Sequence, residues 1–136
     1  MTTNVTPTII NEGSTKLIVQ LLIESDGTSG ELINYQILNP TEDFNPVLGT
    51  DTQLTILQMW YDSVWFDILV RFNALNPQTA WAFSRDSGSR YMDFRYFGGL
   101  KDRSGTDHDG KVMISTSGLT DVTSSVGTMV IEFKKN

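Results

Sequence analysis

The sequence predicts an all-β protein, an antiparallel two-sheet sandwich of jelly-roll type with eight or nine strands. Three observations predict it. Helical periodicity is nearly absent; the apolar clusters alternate or run unbroken and are rich in Val, Ile, Thr and aromatic residues; and each cluster stops at Gly, Asn, Pro or Asp. Two packed sheets are favoured because one large twisted sheet would leave an apolar face in water.

Taken in order, residues 1–14 are expected to be a flexible N-terminal arm with a possible strand near Val5 to Ile10, and residues 15–136 a single sandwich domain. An arm of this kind can add a strand to a neighbour's open sheet edge. In KLIVQLLIE the set Leu17, Val19, Leu21 and Ile23 is placed toward the core, with Ile18, Gln20 and Leu22 opposite, and SDGTSG supplies a turn. ELINYQIL follows with Ile33, Tyr35 and Ile37 on one face, and residues 39–51, with two Asn-Pro pairs, read as a long surface connection. QLTILQMWY and VWFDILVRF flank Asp62 and Ser63, a spacing that suggests a hairpin. The second segment turns Val64, Phe66, Ile68, Val70 and Phe72 inward, and Leu57, Met59, Trp65 and Leu69 are expected opposite the inward sets. Shorter strands are expected at Ala80 to Ser84, Arg90 to Tyr96, Lys111 to Thr116 and Val126 to Lys134. Outward apolar residues of this number call for cover, either by other chains or by loops of the same chain.

Bulk properties narrow the function. A chain of 136 residues fits one domain that buries about two thirds of its unfolded surface. Hydrophobic residues make up 39% and charged residues 19%, and no apolar run approaches the ~20 residues of a membrane span, so no membrane partner is expected. The first fifteen residues carry no Lys or Arg and do not read as a secretory signal. Without cysteine there is no disulfide scaffold, thiolate nucleophile or thiolate metal site. The net charge of −6 argues against nucleic-acid binding, which needs clustered cations. Charge is also uneven, −8 over residues 1–68 and +2 over residues 69–136, an asymmetry that permits complementary contacts between copies.

No catalytic motif emerges. The stretch FGGLKDRSGTDHDGK holds the single histidine, His108, between Asp107 and Asp109. An EF-hand-type loop wants glycine at its sixth position and glutamate at its twelfth, but counting from Asp102 finds Asp107 and Met113 there. Ser104 and Asp102 lie near His108 without a nucleophile elbow, and no glycine-rich phosphate loop follows a strand. No enzyme activity, cofactor or metal is therefore expected. SRDSGSRYMDFRYFGGLKDR interleaves cations with aromatics. Along a strand Met92, Phe94 and Tyr96 would face the core, and Tyr91, Asp93, Arg95 and Phe97 would face outward. Tyr91, Arg95, Phe97, Lys101 and Arg103 are the candidate protein–protein contacts, since Tyr, Phe and Arg are enriched at such surfaces. Trp60, Tyr61, Trp65 and Trp81 would serve sugar stacking if exposed, but their apolar strands predict burial.

The C-terminal FGGLKDRSG run and its closing strand MVIEFKK, together with YQILNP and LTILQMWYDSVWFDILVRF, resemble small virion structural proteins of tailed bacteriophages over roughly residues 16–135. The resemblance implies a non-enzymatic decoration or cement protein on the outside of an icosahedral head, bridging subunits of the major capsid protein or other virion proteins. It implies a homo-oligomer, a dimer or trimer, located in the virion and assembled in the host cytoplasm. A head–tail, neck or tail adaptor and a carbohydrate-binding host-recognition module are the alternatives. The resemblance assigns no individual residue a role.

Overall fold

A computed structural model describes residues 4–25, 32–33, 35–38, 54–62, 66–73, 78–83, 89–101, 111–117 and 125–135. In chain order the strands are β1 (Asn4–Glu12), β2 (Lys16–Ser25), β3 (Tyr35–Leu38), β4 (Leu54–Asp62), β5 (Asp67–Phe72), β6 (Gln78–Phe83), β7 (Ser89–Asp93), β8 (Leu100–Lys101), β9 (Val112–Ser117) and β10 (Ser125–Lys135). One sheet runs β1-β2-β10-β4-β7, with β8 also on β4; the other runs β3-β9-β5-β6, and every pairing is antiparallel. The protein is a β-sandwich.

The order has a simple origin. The β5–β6 pair is the tip of one long hairpin whose two arms stay paired outward from it, β4 with β7 and β8, β3 with β9, and β2 with β10. Successive pairs alternate between the sheets, so the hairpin is rolled around its own apolar side, which is the jelly-roll arrangement.

The core sits where the inward faces meet. Leu17, Val19, Leu21 and Ile23 of β2 face Phe66, Ile68, Val70 and Phe72, with Met129, Ile131 and Phe133 of β10, and all are buried in one cluster. Val64 and Trp65 lie outside the described residues. Segment β4 departs from expectation: Met59 and Tyr61 point inward and Trp60 outward. Its ladder with β10 slips between the Glu132–Gln58 and Phe133–Ile56 pairs, so Leu57 is an extra residue and the alternation changes phase there.

Two connections also differ. Strands β4 and β5 do not form a hairpin; they belong to opposite sheets. Between them the Tyr61 hydroxyl donates to the Phe66 carbonyl oxygen at 2.7 Å inside the core, and Tyr61 stacks on Phe83 at 4.8 Å. Crossing lets the two most apolar faces bury each other instead of lying side by side. In the third strand only Ile37 and Leu38 are buried, whereas Ile33 and Tyr35 are exposed, because the β3–β9 register slips between Gln36 and Leu38. Thr116 and Leu32 exchange two hydrogen bonds of 2.9 Å that extend this pairing.

Residues 4–12, read from the sequence both as part of an arm and as a possible strand, pair along their length with β2. The inward parity of β10 continues to Lys135, whose buried ammonium donates to Glu12 Oε2 at 2.8 Å and to the Gly13 carbonyl at 2.9 Å. That pair ties the β1–β2 turn to the end of the central strand.

Candidate functional site

The site is built beside β4, at what is an edge of the sheet among the described residues. Asp93 ends β7, and its Oδ1 accepts the backbone N–H of Arg95 at 3.0 Å, the local bond with which Asp turns a chain out of a strand. The Arg95 guanidinium closes on the same carboxylate with two bonds, Nε to Oδ1 at 2.9 Å and an Nη to Oδ2 at 2.8 Å. These bonds lower the Asp93 carboxyl to about 2 and raise Arg95 above its ordinary value, so the pair is fully ionised at neutral pH.

The chain then leaves the sheet for one turn. Arg95–Phe97 form a 3₁₀ turn, Gly98 donates to the Arg95 carbonyl, and Gly99 donates to the Phe94 carbonyl at 2.8 Å. Gly98 and Gly99 both have φ near +90°, a region that glycine enters without penalty. At Gly99 a Cβ would lie 2.5 Å from Thr55 Cγ2 and 2.8 Å from the Ile56 oxygen, so no side chain fits as the chain rejoins β4. Beneath the turn Phe94 is buried, donates its N–H to the Leu57 carbonyl at 2.8 Å, and meets Trp81 edge-on at 4.9 Å. The result is a firmly based tip on which Tyr96 is 99% and Phe97 67% exposed.

Two surfaces flank the tip. On the outer sheet face Trp60 and Tyr91 stack at 5.2 Å and are 39% and 48% exposed. The Tyr91 hydroxyl donates to Gln58 Oε1 at 2.6 Å, and Gln58 Nε2 donates to Glu132 Oε1 at 3.1 Å, which holds the ring upright. Around the pair lies a shallow depression bordered by Asp62, Arg90, Thr128 and Val130. On the other side, at the mouth between the sheets, Phe97 and Leu100 face Phe72 and Ala80 across a cleft of about 350 Å³ with Lys101 and Thr79 at its rim.

The candidate contacts are thus divided. Tyr91 and Arg95 share the outer face, Phe97 turns into the inter-sheet cleft, Lys101 is exposed on β8, and Arg103 lies outside the described residues. Tyr96 does not join the core and Phe97 does not share the face of Tyr91, because the strand ends at Asp93. Trp60 is the other reversal, carried outward by the phase change at Leu57. The Asp-x-Arg spacing followed by Gly-Gly was the available signal for the turn. Asp102, Ser104, Asp107, His108 and Asp109 lie outside the described residues, and among the described residues no three His, Asp or Glu side chains are grouped to hold a metal ion. Compared with known proteins, the chain matches no family model, and no curated protein or solved structure matches it at a level that carries an argument.

Proposed function

We propose that the chain is a non-enzymatic structural protein of a tailed-phage particle, a decoration or cement protein that binds the outer shell surface and bridges capsid subunits. The reading rests on the sequence resemblance and on one observation, the Trp60–Tyr91 pair standing exposed beside the Asp93–Arg95 ion pair on an otherwise well-packed sandwich. Aromatic rings fixed in place lose little entropy on docking, and Tyr, Trp and Arg are the side chains that carry most binding energy in protein interfaces. A cement protein multiplies one such contact over many identical sites, so modest affinity at each suffices. A place at the neck or tail uses the same chemistry.

The test uses purified shells stripped of this protein. Trp60→Ala with Tyr91→Ala removes the pair without touching the core, and circular dichroism verifies the fold. Loss of a hot spot of ~2 kcal/mol predicts binding about thirtyfold weaker than wild type. Full occupancy by the variant, or no binding by the wild type, overturns the reading. The exposure of Trp60 also favours a second reading, a carbohydrate-binding host-recognition module. It predicts instead that host surface polysaccharide quenches tryptophan fluorescence in the wild type and not in Trp60→Ala.

A further inference from the structure

The hydroxyl of Tyr91 is held by a chain of hydrogen bonds whose direction is fixed at its far end. Glu132 is buried on β10, and a carboxylate accepts hydrogen bonds but has no proton to give. Gln58, also buried, must therefore turn its Nε2 toward Glu132, at 3.1 Å, which leaves its Oε1 for β7. That oxygen accepts the Tyr91 proton at 2.6 Å. The Asp93 carboxylate, which also lies beside this hydroxyl, is an acceptor too. Arg95, a donor on the same edge, is turned onto Asp93 by two bonds. The single proton of Tyr91 is thus taken inside the protein, and its exposed ring offers a partner only the lone pairs of the phenolic oxygen. A chain of bonds that begins on a negative charge also polarises outward, which makes that oxygen a better acceptor than an isolated tyrosine's.

Building on the reading of the Trp60–Tyr91 pair as a contact surface, we propose that the partner places an arginine side chain there, its guanidinium against the Trp60 ring and one N–H donated to the Tyr91 oxygen. A carboxylate or a carbonyl is refused, because neither brings a proton to an oxygen that has none to share. A guanidinium suits both rings at once: its plane stacks on an aromatic face while its N–H groups point outward within that plane. A lysine ammonium brings donors without the flat surface. Room is sufficient, since the depression lined by Trp60, Tyr91, Asp62, Thr128 and Val130 measures about 550 Å³ and ~150 Å³ already holds a benzene ring. Charge is favourable. Asp93 and Arg95 neutralise each other, and of the other charged side chains around the rings Asp62 and Glu132 outnumber Arg90.

Titration of the full chain with two probes, N-acetyl-arginine methylamide and N-acetyl-glutamate methylamide, tests it through the NMR signal of the Trp60 indole. The arginine probe should shift that signal to saturation, and the glutamate probe should not. Tyr91→Phe keeps the ring and removes the acceptor, so arginine binding should weaken roughly tenfold, the loss of one hydrogen bond to a charged donor. Glu132→Gln keeps the hydroxyl but no longer dictates which way Gln58 points, and its affinity should fall between the two. Equal saturation by both probes, or an arginine affinity that both variants leave unchanged, overturns the proposal. Stripped shells separate it from the reading on which it builds. Shells treated with phenylglyoxal, which caps arginine, should no longer take up the wild type; full uptake by them overturns the arginine contact and leaves shell binding standing. A wild type that saturates with the arginine probe but ignores untreated shells overturns the shell reading and leaves the arginine site in place.

Discussion

Strand β4 has two neighbours, and they treat the same residue differently. Toward β10 the ladder runs from the Thr128–Asp62 pair to the Lys135–Leu54 pair and absorbs Leu57 as a single-residue slip. Toward the edge, β7 pairs from Asp62 to Gln58, the chain departs opposite Leu57, and β8 rejoins at Ile56 and Thr55. One side yields by one residue; the other ejects Arg95 to Gly99. The difference follows from what lies beyond each strand. Strand β10 is flanked on both sides, by β2 and β4, and its inward residues Met129, Ile131 and Phe133 are wholly buried. Any excursion there would uncover core. Among the described residues no strand lies beyond the β7–β8 edge, so extra residues can rise into solvent provided that Phe94 remains seated. Interior strands carry the stability, and the edge carries the display.

The largest effect expected from this contrast is a substitution on the interior side. Phe133→Ala leaves a cavity beneath β10 and should lower the unfolding free energy by about 3–5 kcal/mol, whereas Tyr96→Ala on the tip should change it by less than about 0.5 kcal/mol. Urea unfolding monitored by tryptophan fluorescence measures both. Equal losses would mean that the tip is part of the cooperative core.

A smaller and sharper test lies within the turn. Gly98 and Gly99 have nearly the same φ, but only Gly99 would press a Cβ onto β4, since nothing lies within 4 Å of the corresponding point at Gly98. Gly98→Ala should therefore cost only the left-handed backbone term, about 1–2 kcal/mol. Gly99→Ala should cost more, adding a contact that Thr55 and the Ile56 carbonyl must move to relieve. Equal costs in the same urea titration would show that the chain does not rejoin β4 as tightly as 2.5 Å implies.

Alternation in the sequence made the interior side legible. Leu17 to Ile23 and Phe66 to Phe72 are buried on the expected parity, and even the buried Lys135 obeys it, two residues beyond Phe133. What lies at the edge was harder to read, because its geometry depends on slips that periodicity does not encode. One extra residue at Leu57 reversed the expected faces of Met59 and Trp60. The strand expected to run to Tyr96 ended at Asp93, since a side-chain bond to Arg95 replaced the ladder bond. The hairpin expected at Asp62 and Ser63 failed for another reason: a short break does not reveal whether a chain turns within a sheet or crosses to the opposite one. For the candidate contacts, composition could not show that Tyr91 and Phe97 belong to different surfaces.

The smallest expected effect concerns what holds the excursion in place. Asp93 titrates at about 2 because its hydrogen bonds to Arg95 favour the ionised form, against an ordinary value of 3.8. A depressed folded value means that the pair contributes above about pH 4 and loses its contribution as pH falls toward 2. Both side chains are partly exposed, 32% for Asp93 and 52% for Arg95, so salt screens the attraction and global stability should barely change. The tip itself should respond. Amide exchange at Arg95, whose N–H is held by the Asp93 carboxylate, should accelerate relative to the intrinsic rate between pH 4 and 2, while exchange in β10 stays slow. Asp93→Asn removes the charge and should give fast, pH-independent opening at Arg95 over that range. A wild-type transition centred near 3.8 instead of 2 would mean that the guanidinium does not hold the carboxylate in solution, and the rigidity of the displayed Tyr96 and Phe97 would then have to come from Phe94 and the two glycines alone.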